Sequence, residues 1–160
     1  MAREHTASME DYLEAVAILS REEKRVRVNQ ISRALGVKMP SVCAALRKLS
    51  EDGLVDHERY GYVKLTPRGD KAAREIFHRH EVLRHFLIDV LNIDPEVARE
   101  DACRMEHSIS PVSLERIAKF LEFAEVWPED EPFWLKNYSY YVEHGRLPEV
   151  CRMKASGNAR

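Results

Sequence analysis

Apolar residues recur along this chain in blocks of helical period, separated by glycine and proline punctuation. Tyr12, Leu13, Val16, Ala17, Ile18 and Leu19 mark one face of a helix over residues 8–22, with Ser8 as N-cap and Asp11 at its third position. Val26 to Val28 reads as a short strand. Asn29 then caps a second helix, from Gln30 to Leu35, with Ile31, Ala34 and Leu35 inward and Gly36 ending it. A third helix starts near Pro40 and runs to about Glu51, burying Val42, Ala45, Leu46 and Leu49. Asp52-Gly53 turns the chain into a strand, His57 to Tyr62 carries a glycine turn, and Val63-Lys64-Leu65 alternates like a returning strand.

Helix, glycine-containing turn, helix and hairpin together predict a winged helix-turn-helix. Thr66-Pro67 opens a long helix to about Leu91, in which Ala72, Ala73, Ile76, His80, Leu83 and Leu87 form an inward stripe that Phe77 and Phe86 broaden. Asn92 to Pro95 breaks the chain, Asp94 caps the next helix, and Ser110-Pro111 opens another to Ala124 with Val112, Leu114, Ile117, Ala118, Leu121 and Phe123 apolar. Two short helices with such wide apolar faces predict a dimer interface. Beyond Ala124, Trp127, Phe133, Trp134, Tyr138, Tyr140 and Tyr141 read as an irregular aromatic tail packing back on its own domain. The expected architecture is mainly α: a winged helix-turn-helix domain over residues 1–73, a helical domain carrying the dimer interface over 74–126, and the tail over 127–160.

Composition adds limits. The chain has 160 residues and a formal net charge of −2, so it is no uniformly basic nucleic-acid binder. Residues 1–73 nevertheless carry 13 Lys and Arg against 11 Asp and Glu, which permits a local basic patch. Three widely spaced cysteines make no disulfide framework and point to a reducing cytoplasm. No apolar run is long enough to span a bilayer, and no signal peptide opens the chain.

On the third helix and the wing, Lys38, Ser41, Arg47, Lys48, Arg59 and Lys64 are the donors expected around phosphates and base edges. Ser41 and Ala44 sit near the exposed front as base readers, with Pro40 at the same end, and Arg27 reaches the DNA backbone from the first strand. A second chemistry sits in Asp101 to Ser110. Cys103, Glu106 and His107 stand at i, i+3 and i+4, which on one helix would gather a thiolate, a carboxylate and an imidazole on a single face. That is half a coordination shell for a divalent transition metal. Taken alone, a Glu-His pair is more often a solvated helix edge. Asp11 with Glu14 is more often an acidic first turn favoured by the helix dipole, and a histidine such as His80 more often a satisfied core residue. His144 and Cys151 are two lone donors and make no second site.

The chain also resembles the diphtheria toxin repressor and manganese transport regulator (DtxR/MntR) family of metal-dependent repressors. The likeness covers about residues 8–124 and rests on Met9-Glu-Asp-Tyr-Leu-Glu14, Pro40-Ser41-Val42, Asp52-Gly-Leu-Val55, Leu65-Thr66 with Gly69, Arg79-His80 and Cys103-Arg-Met-Glu-His107. The resemblance implies a repressor that binds operator DNA as a homodimer when Fe(II) or Mn(II) is bound, and that is not an enzyme. It implies Asp11, Glu14, His80, Cys103, Glu106 and His107 as ligands. Asp11 and Glu14 match the manganese branch, Cys103 the iron branch. His80 is used by both, and Glu106 and His107 are shared. Arg84 and Arg99 stand where the iron branch's ancillary site wants an acid and a histidine, so that site is expected to be absent. The thiolate tips the expectation toward Fe(II), Asp11 and Glu14 toward Mn(II). The SH3-like third domain of longer members is expected to be missing. An inverted-repeat operator follows from a two-fold dimer. A hydrolytic metalloenzyme and a metal-independent winged-helix regulator are the rival readings.

Overall fold

The structure, a computed structural model, describes residues 9–22, 25–57, 61–126 and 132–152. The proposed N-cap Ser8 and the wing residue Arg59 lie outside them. The chain divides into two compact units, residues 1–79 and 80–160.

The first unit is a winged helix. Its elements are α1 (Met9–Glu22), β1 (Val26–Arg27), α2 (Val28–Leu35), α3 (Met39–Glu51), β2 (Val55–His57), β3 (Tyr62–Leu65) and the first part of α4 (Pro67–His85). The three strands form one antiparallel sheet in the order β1-β3-β2, with Val26 opposite Val63 and Val55 opposite Leu65. Tyr12, Leu13 and Val16 of α1, Ile31 of α2, the whole predicted inner face of α3 and Ala73 and Ile76 of α4 meet Val26, Val55 and Val63 of the sheet in one core.

Several expectations are corrected. Asn29 does not cap α2, because the helix begins at Val28, two residues before the expected Gln30, and takes Val28 out of the predicted strand. Gln30 reaches back to accept from the Arg27 amide at 2.7 Å, the return bond of a capping box that starts at Arg27. Ala34 of α2 is exposed, as is Ile18 of α1 at 45%. Phe77 does not broaden the inner stripe of α4. It is 38% exposed, with the Arg21 guanidinium 5.1 Å from its ring centre.

The start of α4 is stitched to the turn before β2. Thr66 donates its hydroxyl to the Gly53 carbonyl at 2.7 Å, accepts from the Gly69 amide at 3.1 Å, and donates its own amide to Leu54 at 3.0 Å. Gly69 is needed for this closeness, since a Cβ there would overlap the Leu54 carbonyl oxygen.

The second unit comprises the end of α4, a π-helical turn (Phe86–Val90), α5 (Pro95–Met105), α6 (Pro111–Glu125) and α7 (Phe133–His144). Leu83, Leu87, Ala98 and Ala102 form its buried centre, with Leu114 and Ile117 of α6 packed against it. The long helix expected to run to Leu91 changes geometry in its last turn, where the Leu91 amide bonds the Phe86 carbonyl five residues back. Asn92 then takes a left-handed φ of 54°, which asparagine tolerates better than most residues. Asp94 caps α5 through the Glu96 and Val97 amides, and Ser110 caps α6 through Ser113, as expected.

The aromatic tail is not irregular. Its residues 133–144 form α7, bounded by Pro132 and by a left-handed Gly145. Trp134 lies 5.6 Å from Phe120 of α6, and Phe120 lies 6.2 Å from Phe86. No α6 residue is buried, and Val112 and Phe123 are 67% and 52% exposed. Among the described residues no helix is long and apolar enough to cross a membrane.

Gly69→Ala should cost about 3 kcal/mol of folding stability, because the obstruction is backbone that cannot step aside. Urea unfolding checks this; a loss well under 1 kcal/mol would mean that the turn at Leu54 yields easily.

Candidate metal centre and nucleic-acid interface

The metal candidates gather around one carboxylate. Cys103 lies near the end of α5, Glu106 is the helix's C-cap, and His107 lies in the turn that follows. The expectation that all three ride one helix is therefore corrected: α5 ends at Met105. The turn still holds their ligand atoms together, with Sγ, a carboxylate oxygen and a ring nitrogen all within 4.8 Å of one another. The Glu106 amide keeps its helical bond to Ala102 at 2.9 Å, so this residue stays on the α5 frame while the chain turns away.

Glu106 is 1% exposed and is the buried charged residue among those described. His80 Nδ1 stands 2.8 Å from its Oε2, and His107 Nε2 stands 3.4 Å from its Oε1. A carboxylate moved out of water is costly unless positive charge or strong hydrogen bonds compensate it. Sulfur, oxygen and nitrogen donors ringed around such a group form a donor set of the kind that suits a divalent transition metal. The residues present therefore fit the cation.

Asp11 and Glu14 are half-buried on α1 in the first unit, one helical turn apart. His80, the polar exception in the stripe of α4, joins the cluster through Glu106. Arg84 and Arg99 serve neighbouring acids. Arg84 bonds Glu81 at 2.8 Å and holds that carboxyl below its usual range, and Arg99 bonds Glu96 at 3.3 Å. Neither side chain is a metal donor. His144 lies against Tyr140, ring centres 4.3 Å apart, and is no part of a described ligand cluster.

The second surface is the outer side of α3. With Val42, Ala45, Leu46 and Leu49 buried, the remaining helical positions Pro40, Ser41, Ala44, Arg47 and Lys48 are all exposed. Lys38 is exposed at the N-cap, and Lys64 is exposed on β3. Arg27 pairs across the sheet with Tyr62, donating to its hydroxyl at 2.9 Å. That bond, helped by Arg25, whose guanidinium lies 5.1 Å from the ring centre, lowers the Tyr62 phenol below its ordinary pKa. Arg25 and Tyr62 were not among the site residues read from the sequence. The signal was the register that sets Arg27 opposite Tyr62, which needs the sheet.

Comparisons with known proteins place the chain as a whole in a family. Residues 4–63 match the family profile described as "Iron dependent repressor, N-terminal DNA binding domain", and residues 66–135 match "Iron dependent repressor, metal binding and dimerisation domain". The chain is 34% identical over 116 residues to an uncharacterized HTH-type transcriptional regulator of Methanocaldococcus jannaschii, covering 72% of this chain and 93% of that protein. It is 35% identical over 120 residues to the HTH-type transcriptional regulator MntR of Bacillus subtilis, covering 75% and 84%. Among solved structures, the manganese regulator SloR aligns with a TM-score of 0.66 at 31% identity, covering 77% of this chain and 57% of that one. IdeR of T. acidophilum aligns with a TM-score of 0.66 at 25% identity, covering 74% and 55%. The chain thus spans a little over half the length of these solved neighbours. On its fold, its two profile matches and these relatives, the chain belongs to the DtxR/MntR family of metal-dependent transcriptional repressors, dimerising DNA-binding regulators of the iron and manganese type rather than enzymes.

Proposed function

We propose that this chain represses transcription by binding an inverted-repeat operator as a homodimer when Fe(II) occupies a site made by Asp11, Glu14, His80, Cys103, Glu106 and His107. The observation that carries the reading is the Glu106 carboxylate, buried with His80, His107 and Cys103 about it. In this reading residues 1–73 bind DNA, 74–126 hold metal and dimerise, and 127–160 form an arm on the dimerisation domain.

The chain's own groups divide the work. Among the described residues Glu106 contributes the one charge that is fully withdrawn from water. His80 and His107 approach its two oxygens, and Cys103 contributes a polarisable sulfur. Asp11 and Glu14 bring α1 into the ligand set. A bound divalent cation would supply the positive charge that lets these carboxylates lie close together. With that repulsion relieved, α1 is held, and with it the core that α1 shares with α3. Lys38, Arg47, Lys48, Arg59 and Lys64 meet phosphates, while Pro40, Ser41 and Ala44 lie against base edges and thymine methyls, and Arg27 takes the backbone. Two recognition helices related by a two-fold axis read half-sites about one DNA turn apart.

The thiolate favours Fe(II) over Mn(II), because soft donors select later metals. A manganese-responsive repressor is the second reading. It is favoured by Asp11 and Glu14, which add hard oxygen donors, and by the manganese regulators among the relatives.

Operator affinity should rise steeply on adding Fe(II) or Mn(II) to metal-free protein under anaerobic conditions. A duplex selected from a randomised pool serves as probe in a gel-shift titration, and equal affinity with and without metal would sink the proposal. Glu106→Gln should weaken metal binding by at least about a hundredfold, since even groups that only orient ligands are worth about 10- to 100-fold; dialysis against labelled metal reads this. Cys103→Glu should move the Fe(II)-to-Mn(II) affinity ratio toward manganese in a competition assay. Lys38→Ala and Arg47→Ala should each lower the salt slope of DNA binding by about one while weakening all sequences alike.

A further inference from the structure

Helix α1 touches α4 unevenly. Beside Glu14 the two helices and β3 leave a cleft of about 200 Å³, lined by Glu14, Ile18, Arg21, Leu65 and Phe77 among others. The buried Tyr12, Leu13 and Val16 seat one side of α1 in the core, while at the cleft its side toward α4 is not closely packed, so the fine setting of its roll falls to contacts elsewhere along the helix. At the other end of α1, Glu10 Oε2 meets Arg79 Nη2 at 2.7 Å. The Arg79 side chain is 24% exposed, and its Nε and Nη2 atoms are shielded from solvent altogether. The pair differs from Lys71–Glu75, Arg74–Asp70 and Arg84–Glu81, each of which lies within one helix and constrains no other element. Glu10–Arg79 ties two helices together.

Glu10 immediately precedes Asp11 and lies one turn before Glu14. Side-chain tips stand about 5–6 Å from a helix axis, so a roll of about 10° moves a carboxylate by about 1 Å. Metal–ligand distances tolerate only about ±0.2 Å. Small errors of roll that the apolar core tolerates would therefore set the two acids off their best positions and lower affinity.

We propose that Glu10 and Arg79 are positioning residues for metal binding. Their ion pair sets the roll of α1 and so presents Asp11 and Glu14, without either residue touching the cation. This rests on the assignment of Asp11 and Glu14 as ligands made above.

The test is a double-mutant cycle with Glu10→Gln, Arg79→Gln and the combined variant. Mn(II) affinity is read from the electron paramagnetic resonance signal of free Mn(II), and thermal melting of the metal-free protein is followed in parallel. Each single change should weaken Mn(II) binding about tenfold, and the combined variant should be no weaker than either single, the signature of one shared interaction. Arg79→Lys, which keeps the charge, should recover most of the affinity. Additive losses, affinity unchanged in both single variants, or Arg79→Lys as weak as Arg79→Gln would overturn the proposal. So would losses of affinity that follow the melting temperature alone, because they would mean general destabilisation. Failure of the ligand assignment itself reads differently: Asp11→Asn and Glu14→Gln would then bind Mn(II) like the parent chain.

Discussion

The second unit is built around a carboxylate that has no access to water. Glu106 also occupies the C-terminal end of α5, where the helix's partial negative charge opposes an acid. Burial and dipole thus disfavour the same group, and no packing requirement calls for a glutamate there. The fold meets the difficulty with two imidazoles, one from α4 and one from the turn, and with a thiol one turn back. A neutral residue of similar size would be easier to bury, so the position makes physical sense as a seat for positive charge. The small Ala98 and Ala102 on the inner side of α5 let that helix pack closely on Leu83 and Leu87, which keeps the end of α5 where His80 can reach it.

The first unit follows a different logic. Its centre is wholly apolar, and its polar chemistry lies outside, on the side of α3 that the core does not use. Separating the two keeps the outer side free to carry Lys38, Arg47 and Lys48 without burying charge. Serine and alanine at the front of α3 add little bulk between the helix and a groove.

Much of this was legible in the sequence. The inner positions of α3 follow the helical period without exception, and Thr66-Pro67, Asp94-Pro95 and Ser110-Pro111 mark real helix starts because each supplies a capping oxygen or a preset φ. Cys103, Glu106 and His107 were legible as a cluster, though not as a helix with a turned end. Other features could not be read locally. Gln30, not Asn29, satisfies the start of α2, a choice made by a competing side chain three residues on. The π-helical turn leaves no periodic trace in a stretch as short as Phe86–Val90. Helix α7 was hidden by its own aromatics, which suggested anchors in a loop. Pro132 and Gly145 were its actual boundaries. Arg27 with Tyr62, and Glu10 with Arg79, join residues 35 and 69 positions apart, and pairings at that range need the tertiary fold.

Helix α6 has consequences for how the molecule responds to its own abundance. Leu114, Ile117 and Phe120 tie α6 to its own subunit, while Val112 and Phe123 stand open to water. A second copy covering that open face would add stability that rises with protein concentration. Dosage of the chain would then act beside the ion.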